Sequence, residues 1–137
     1  MAQTTGKING TDLLVYVGGT AIGCCTSHSL QMTTATIDVT TKDSAGWTEI
    51  ILGVRNWSIS GEGLTEFNAT YGFNDLVTAW KNRTLISVSF KTANVDDKVF
   101  SGSAYITDLG EDATMEDVTT FSFTFEGTGV LSYAVIV

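Results

Sequence analysis

The amino-acid sequence predicts a mainly β domain of the α+β class, a β-sandwich or partly open barrel of about eight strands with one flanking helix. Three observations predict this fold. Apolar and polar residues alternate with period two in several segments, turn signals separate those segments, and one segment shows helical periodicity instead. The length of 137 residues and the hydrophobic content of 43% suit a single domain over residues 1–137.

The N-terminal part of the chain predicts short strands joined by a tight turn. Residues 1–10 are polar and without periodicity, which predicts an N-terminal arm. The apolar run at 13–17 predicts a buried strand, the Gly18-Gly19 pair predicts a hairpin turn, and residues 20–25 continue as the partner strand. Alternation then predicts another strand over 27–32.

A long connection follows, between a strand that begins at Ile37 and a strand around Trp57. The connection spans about 40–55, whereas a hairpin needs only about two to five residues to turn. It is polar, ends in an apolar cluster and carries Trp47, so we expect a long β-arm that docks on a neighbouring molecule. The alternative is a mobile surface loop with Trp47 folded back on the core. The candidate contact residues are Lys42, Asp43, Ser44, Gly46, Trp47, Ile50 and Ile51.

One helix is predicted at about 71–82. Phe73, Leu76, Val77 and Trp80 lie at positions i, i+3, i+4 and i+7, which is a single helical face. Acidic residues early in the segment and basic residues late in it match the helix dipole. We expect this face to be core packing against a sheet and not a ligand site.

Period-two alternation returns in the C-terminal part. It predicts strands over 86–90 and 99–109, with Gly102 marking a bulge in the second. The alternation of three phenylalanines with polar residues over 121–125 is the clearest half-buried strand in the chain. Glycines end that strand at 127–129, and residues 130–137 predict a last strand or a C-terminal arm.

Residues that carry catalysis or metal chemistry are scarce. The single histidine, His28, has no cluster of ligands at metal spacing around it. The adjacent Cys24 and Cys25 suit reduced thiols, because neighbouring residues make a poor disulfide. No nucleophile has a usable histidine base, and no glycine-rich phosphate loop occurs. We therefore expect no enzyme activity, no metal and no cofactor.

The charge and composition exclude other classes. A net charge of −8 with seven Lys and Arg gives no patch for tight nucleic-acid binding. No apolar run approaches the roughly 18 residues of a membrane helix, and the first residues show no signal-peptide pattern. The absence of proline and the few lysines suggest sheet edges that pair with something, because natural sheets often protect exposed edges with these residues.

Several segments, in this order and spacing, resemble the tail tube (major tail) proteins of long-tailed bacteriophages. The similarity covers most of the chain and is densest between residues 38 and 63. The motifs that carry it are Asp38-Val39-Thr40, Lys42-Asp43-Ser44, Gly46-Trp47, Trp57-Ser58-Ile59-Ser60-Gly61-Glu62-Gly63, Ser101-Gly102-Ser103-Ala104-Tyr105-Ile106-Thr107 and Phe125-x-Gly127-x-Gly129.

The resemblance implies a structural virion protein. It implies six subunits in a ring, rings stacked into a tube by self-assembly in the bacterial host cytoplasm, and a helix on the outside of the tail. The implied partners are other copies of the chain and the tail terminator, tape measure and baseplate proteins, with transient passage of DNA at genome ejection and no membrane. Because an acidic lining repels DNA weakly within about 8 Å, we expect acidic and hydroxyl side chains in the channel.

Two alternatives remain open from the sequence. The first keeps the architecture and makes the chain a tube subunit of a type VI secretion system or another contractile injection system, which share the fold. The second belongs to a different class, a monomeric β-sandwich module that binds a sugar or a protein.

Overall fold

The computed structural model describes residues 13–23, 25–66, 71–92 and 97–135. The predictions for residues 1–10, for Cys24 and for the last two residues lie outside these ranges. The elements are β1 (Leu14–Val17), β2 (Thr20–Ala21), β3 (Cys25–Asp38), β4 (Ile50–Leu64), α1 (Phe73–Lys81), β5 (Ile86–Lys91), β6 (Lys98–Asp112) and β7 (Thr120–Val135), with a short 3-10 helix at Lys42–Ser44.

The seven strands join one antiparallel sheet in the order β2-β1-β5-β6-β7-β4-β3. The four long strands, β6, β7, β4 and β3, have 14 to 16 residues each and lie side by side in one half of the sheet. The short strands form the other half. The mainly β fold with one helix is confirmed, and the sheet does not close into a barrel.

Two predicted breaks between strands are absent. β3 runs without interruption over the predicted strand at 27–32 and on to Asp38, and β7 continues through both glycines to Val135. Both strands are long because a neighbour pairs with them along most of their length, as β6 does with β7 from Asp112↔Thr120 to Lys98↔Val135. The described residues therefore form seven strands, where the sequence predicts about eight. The predicted segment at 130–137 is, as far as Val135, the end of β7.

The turn predicted at Gly18-Gly19 and the bulge predicted at Gly102 are both confirmed. Gly18 and Gly19 have φ of 58° and 89°, and they turn the chain between Val17 and Thr20, which pair directly. Only glycine adopts such angles without cost. The β6–β7 register shifts between Ser101 and Ser103, so the predicted bulge lies at Gly102.

The core lies on the side of the sheet that the helix covers. Phe121, Phe123 and Phe125 follow one another on the inner face of β7, and the ring centroids of the last two are 4.8 Å apart. Val15 and Val88 complete the core from the short strands and are fully buried. The alternation that predicted the half-buried strand therefore identified the centre of the core.

The helix begins at Phe73 and ends at Lys81, within the predicted bounds. The Asp75 carboxylate accepts a hydrogen bond from the Gly72 N–H at 3.0 Å and caps the first turn. Leu76 is fully buried, Phe73 packs on Phe121 with ring centroids 5.6 Å apart, and Val77 is half-buried.

Trp80 corrects the predicted core face at its last position. Its side chain is 53% exposed, and the smaller Ala79 packs against the core in its place. Trp80 instead lines a groove beside Tyr105 and Ile106. The helical period therefore predicts the helix and its buried centre, but not the exposure of its last large side chain.

Trp57 marks the point at which the long strands separate. β4 pairs with β7 only over residues 58–64, whereas it pairs with β3 from Ile50 to Gly63. The Trp57 indole is 5% exposed, and its Nε1–H donates to the Gly129 carbonyl at 3.3 Å. A Cβ atom at Gly127 would lie 1.9 Å from the indole, and one at Gly102 would lie 2.6 Å from it. Glycines on β6 and β7 therefore make room for this side chain.

His28 lies where the two ends of the sheet approach each other. Its ring on β3 packs edge-on to Phe90 of β5 with centroids 6.5 Å apart. Its Nε2 atom is buried and has no hydrogen-bond partner among the described residues. Burial lowers the pKa of the imidazole below its ordinary 6.5, and a hydrogen bond with the Leu13 backbone opposes that effect more weakly.

The stability of the protein is therefore expected to fall as the pH falls below about 6.5. In that range the unfolded chain binds a proton at His28 that the folded chain resists, so protons favour unfolding. Urea unfolding of the wild type and of His28→Gln between pH 8 and pH 5.5 measures this effect. The free energy of unfolding should fall less with decreasing pH in the variant than in the wild type. If it falls equally in the two proteins, His28 does not contribute.

Candidate functional site

The main candidate surface is an arm formed by residues 33–56. In this region β3 and β4 pair with each other alone, through contacts such as Thr36↔Leu52 and Asp38↔Ile50. The pairing continues into the connection that the sequence predicts at 40–55, so the segment without strand structure is only 39–49. The arm is thus a two-stranded ribbon with a structured tip.

Hydrogen bonds build the tip. The Thr41 hydroxyl accepts from the Asp43 N–H at 3.3 Å, and the Thr41 N–H donates to the Ser44 hydroxyl at 3.0 Å. The Thr40 hydroxyl accepts from the Glu49 N–H at 2.9 Å and so ties the two sides together. Hydrogen bonds from Thr40 also lower the pKa of the Asp38 carboxyl. Ala45 and Gly46 then turn the chain in the left-handed region.

The arm exposes a large apolar surface. Trp47 is 77% exposed, so the alternative in which it folds back on the core is wrong. Exposed apolar patches of this kind mark interaction sites. The other exposed apolar side chains of the arm are Met32 at its base, Ile37, Val39, Ile50, Ile51, Leu52 and Val54.

The predicted contact residues divide into two groups. Lys42, Asp43 and Gly46 are exposed at the tip beside Trp47, and Ile50 and Ile51 are exposed on the ribbon, so these side chains are accessible to a partner. Ser44 is buried, and its hydroxyl caps the 3-10 helix. It therefore shapes the tip, while its predicted role as a contact remains untested.

A groove at the base of the arm was not visible in the sequence. It lies in the fork between the arm and the end of β7, has a volume of about 660 Å³, and is lined by Met32, Val54, Trp57, Val130 and Leu131 among others. Val130, Tyr133 and Val135 are also exposed on this half of β7. The groove exists because β4 leaves β7 at Trp57, a divergence that no local sequence signal indicates.

The face of the long strands opposite to the core is polar. Cross-strand pairs place Glu62 opposite Ser122, Ser60 opposite Thr124, and Glu126 opposite both Ser58 and Tyr105. These residues alternate with the buried core residues of the same strands, so they point away from the core. Residues 56–66 and 99–135 contain no Lys or Arg. The face is therefore a hydroxyl-rich surface with uncompensated acids.

The free edge of the long-strand half is β3. Along its 14 residues it pairs with β4 on one side, and no described strand pairs with the other side. A free edge of this length is a template for pairing with another chain. Within the ranges that the structure describes, no group of three metal-ligating side chains occurs, and no helix is long and apolar enough to span a membrane.

The sequence matches a family model described as phage tail tube protein over residues 7–133. No curated protein matches the sequence.

Solved structures share the fold. A chain from the virion of a native gene transfer agent particle is 21% identical, with coverage of 93% of this chain and 99% of that chain and a TM-score of 0.81. The SPP1 tail tube is 13% identical, with coverage of 91% and 78% and a TM-score of 0.70. A chain from the structure of the sheath/tube terminator of PVC, an extracellular contractile injection system, is 18% identical, with coverage of 96% and 99% and a TM-score of 0.69.

Proposed function

Because the chain belongs to the phage tail tube protein family and is a structural subunit of a tail tube, we propose that six copies close into a ring and that the rings stack. The observation that carries this proposal is the half-sheet of four long strands, which has a free edge at β3 and a polar face opposite to the core. A related fold supports the number six, because the tail of an empty gene transfer agent particle was computed with C6 symmetry.

When copies join side by side into a closed ring, the free edge of β3 can pair with a neighbouring copy. A head-to-tail contact must close into a ring or grow without limit, and a closed barrel has no sheet edges. Six copies of four long strands would give an inner wall of 24 strands. With a strand spacing of about 4.8 Å and a tilt of about 40°, that wall has a backbone diameter of about 50 Å. Side chains then leave room for duplex DNA.

The face of the long strands opposite to the core is proposed to line this channel. It presents Glu62 and Glu126 among serine and threonine hydroxyls, without a basic residue on the same strand segments. Lys and Arg would hold DNA phosphates by releasing counterions. Acids and hydroxyls repel DNA weakly over about 8 Å, so the genome can slide.

Replacing channel acids by lysine is expected to slow genome ejection. Phage that carry Glu62→Lys and Glu126→Lys should eject DNA more slowly than the wild type, and the difference should shrink as the salt concentration rises. Time-resolved release of a DNA-binding dye measures the rate. The matched control is Thr78→Lys, because Thr78 is exposed in the middle of α1, outside the proposed channel. Unchanged ejection by the double variant would contradict the assignment of this face to the channel.

The arm is proposed to make the contact between rings, with Trp47 as its anchor. The proposed further partners are a tail terminator, a tape measure protein and a baseplate protein, with assembly in the host cytoplasm. Likeness to a chain from the PVC sheath/tube terminator structure and to a chain from the anti-feeding prophage baseplate structure keeps a contractile injection system as the second candidate. Capsid and terminase genes beside this gene would favour the phage.

A further inference from the structure

The two halves of the sheet meet at His28. β3 is the last strand of the sheet order and pairs with β4 alone among the described strands, while β1 and β5 belong to the other half. The His28 ring packs edge-on to Phe90 of β5, with centroids 6.5 Å apart, and forms a hydrogen bond with the backbone of Leu13, the residue before β1. We name the gap between β3 at His28 and these two residues the seam.

This side chain is the main connection across the seam. Within the described ranges, no backbone hydrogen bond and no strand pair joins β3 to β1 or β5. Grooves of about 390 Å³ and about 460 Å³ lie beside His28, and the first of them separates it from Leu13, Leu14 and Phe90. The seam is therefore not tightly packed, and its closure near residue 28 depends largely on the imidazole.

The seam accommodates the neutral imidazole better than the charged one. The Nε2 atom is buried and has no hydrogen-bond partner among the described residues, so a proton bound there would find no acceptor in that part of the chain. The Phe90 ring lies beyond the distance of about 6 Å within which an aromatic face stabilises a cation. An imidazolium would therefore have to leave the seam for water.

Neighbouring titratable groups do not offset this cost. The thiol of Cys25 on β3 lines the first groove, and thiols are ordinarily uncharged below pH 7. Glu62 on β4 lines the second groove, but its side chain points to the opposite face, because the residue before it is the one that pairs with His28. Lys91 on β5, 4.8 Å from the centre of the Tyr16 ring, carries a positive charge that cannot stabilise an imidazolium. The residues of β1 and β7 that line the two grooves are uncharged.

We propose that His28 is an acid-sensitive clasp, which joins β3 to the other half of the sheet when neutral and releases the first part of β3 when protonated. Once released, residues 25–30 are held by β4 alone, through a pairing that a register shift between Cys25 and Ser27 already interrupts, and they fray more often. In the proposed tube this edge pairs with a neighbouring copy, so mild acid would loosen the edge on which ring closure depends. That consequence rests on the proposed function, whereas the local opening does not.

The size of the effect follows from proton linkage. The released imidazole has its ordinary pKa of 6.5, whereas burial lowers the pKa in the closed seam. Protons therefore favour the released form, and its population should rise about two- to eightfold between pH 7 and pH 5.5. The upper limit applies if the closed form binds no proton at all. His28 is the only histidine, and ordinary carboxyl groups stay largely ionised over this range.

Amide hydrogen exchange of the single chain at low urea concentrations measures the release without assembly. Amides of 25–30 that pair with β4 should exchange through an opening that urea hardly affects, and their protection factors should fall about two- to eightfold between pH 7 and pH 5.5. Amides at 121–125 should exchange only by urea-dependent global unfolding. Amides of α1 that exchange locally are the internal control and should keep their protection factors, because the only histidine lies on β3.

His28→Phe is the matched variant, because it keeps a ring against Phe90 and cannot bind a proton. Its β3 protection factors should not depend on pH in this range, and His28→Gln serves if that variant does not fold. The clasp is overturned if β3 protection in the wild type changes by less than about twofold, if it falls equally in the variant, or if β3 opens only with global unfolding. These outcomes leave the tube function standing, whereas a wild type that forms neither rings nor tubes contradicts that function and leaves the clasp intact.

Discussion

Gly127→Ala is expected to destabilise the fold by about 3 kcal/mol or more, although it adds a single methyl group. The added Cβ would lie 1.9 Å from the ring atoms of Trp57, and real atoms never approach so closely. The indole cannot move aside easily, because it is buried and its N–H is bonded to the Gly129 carbonyl. The strand or the ring must therefore shift, and the contact between β4 and β7 opens.

Urea unfolding with three companion variants isolates this cause. Gly110→Ala is the matched control, because its only close neighbour is the small Ser122 hydroxyl at 3.1 Å. Trp57→Ala alone should cost about 3–5 kcal/mol through the cavity that it leaves. Adding Gly127→Ala to Trp57→Ala should then cost little, since the clash has gone. Additive losses from the two changes would show that the indole is not what excludes a side chain at residue 127.

Trp47→Ala is expected to leave the folded subunit stable but to impair its assembly into tubes. The side chain is 77% exposed in the single chain, so its removal should change the free energy of unfolding by less than about 0.5 kcal/mol. An aromatic anchor at an interface contributes about 2 kcal/mol or more, which raises the concentration needed for tubes about 30-fold or more. Negative-stain microscopy across a concentration series measures the shift.

Trp80→Ala is the comparison for this experiment. Trp80 is also a half-exposed tryptophan, but it lies on the helix, which the proposal places on the outside of the tube. The Trp80 variant should assemble like the wild type. Normal tubes from Trp47→Ala at wild-type concentrations would remove Trp47 from the contact between rings.

The sequence patterns that depend on near neighbours predicted their elements well. The 3.6-residue period located α1, and the alternation at 121–125 located the core face of β7. Gly18 and Gly19 predicted a turn because their backbone angles are a local requirement. Each of these signals arises within about ten residues of chain, which is why one sequence contains enough information to show it.

The misses depend on contacts between distant segments. The glycines at 127 and 129 suggested the end of a strand, yet β7 continues. Gly127 makes room for the indole of residue 57 on another strand, and the carbonyl of Gly129 accepts the indole N–H. Trp80 fits the helical face but is half-exposed, because the neighbouring Ala79 packs against the core there. The sequence also does not show the register between strands. Only the structure therefore places the acids at 62 and 126 on the same face of the sheet.

The candidate surfaces likewise divide into those with a local sequence signal and those that depend on distant segments. The length of the 40–55 connection and the size of Trp47 predicted an arm, and the structure shows a ribbon that exposes Trp47. The fork groove and the free edge of β3 follow from the sheet order, which the sequence does not contain.

A cryo-electron microscopy reconstruction of tubes from the purified protein or from virions tests the central claim most directly. We expect six subunits in each ring and a continuous inner wall of 24 strands, in which the free edge of β3 pairs with a neighbouring copy and Glu62 and Glu126 face the channel. A protein that stays monomeric at high concentration and is absent from tubular structures in virions, or a tube in which β3 remains unpaired, would contradict it.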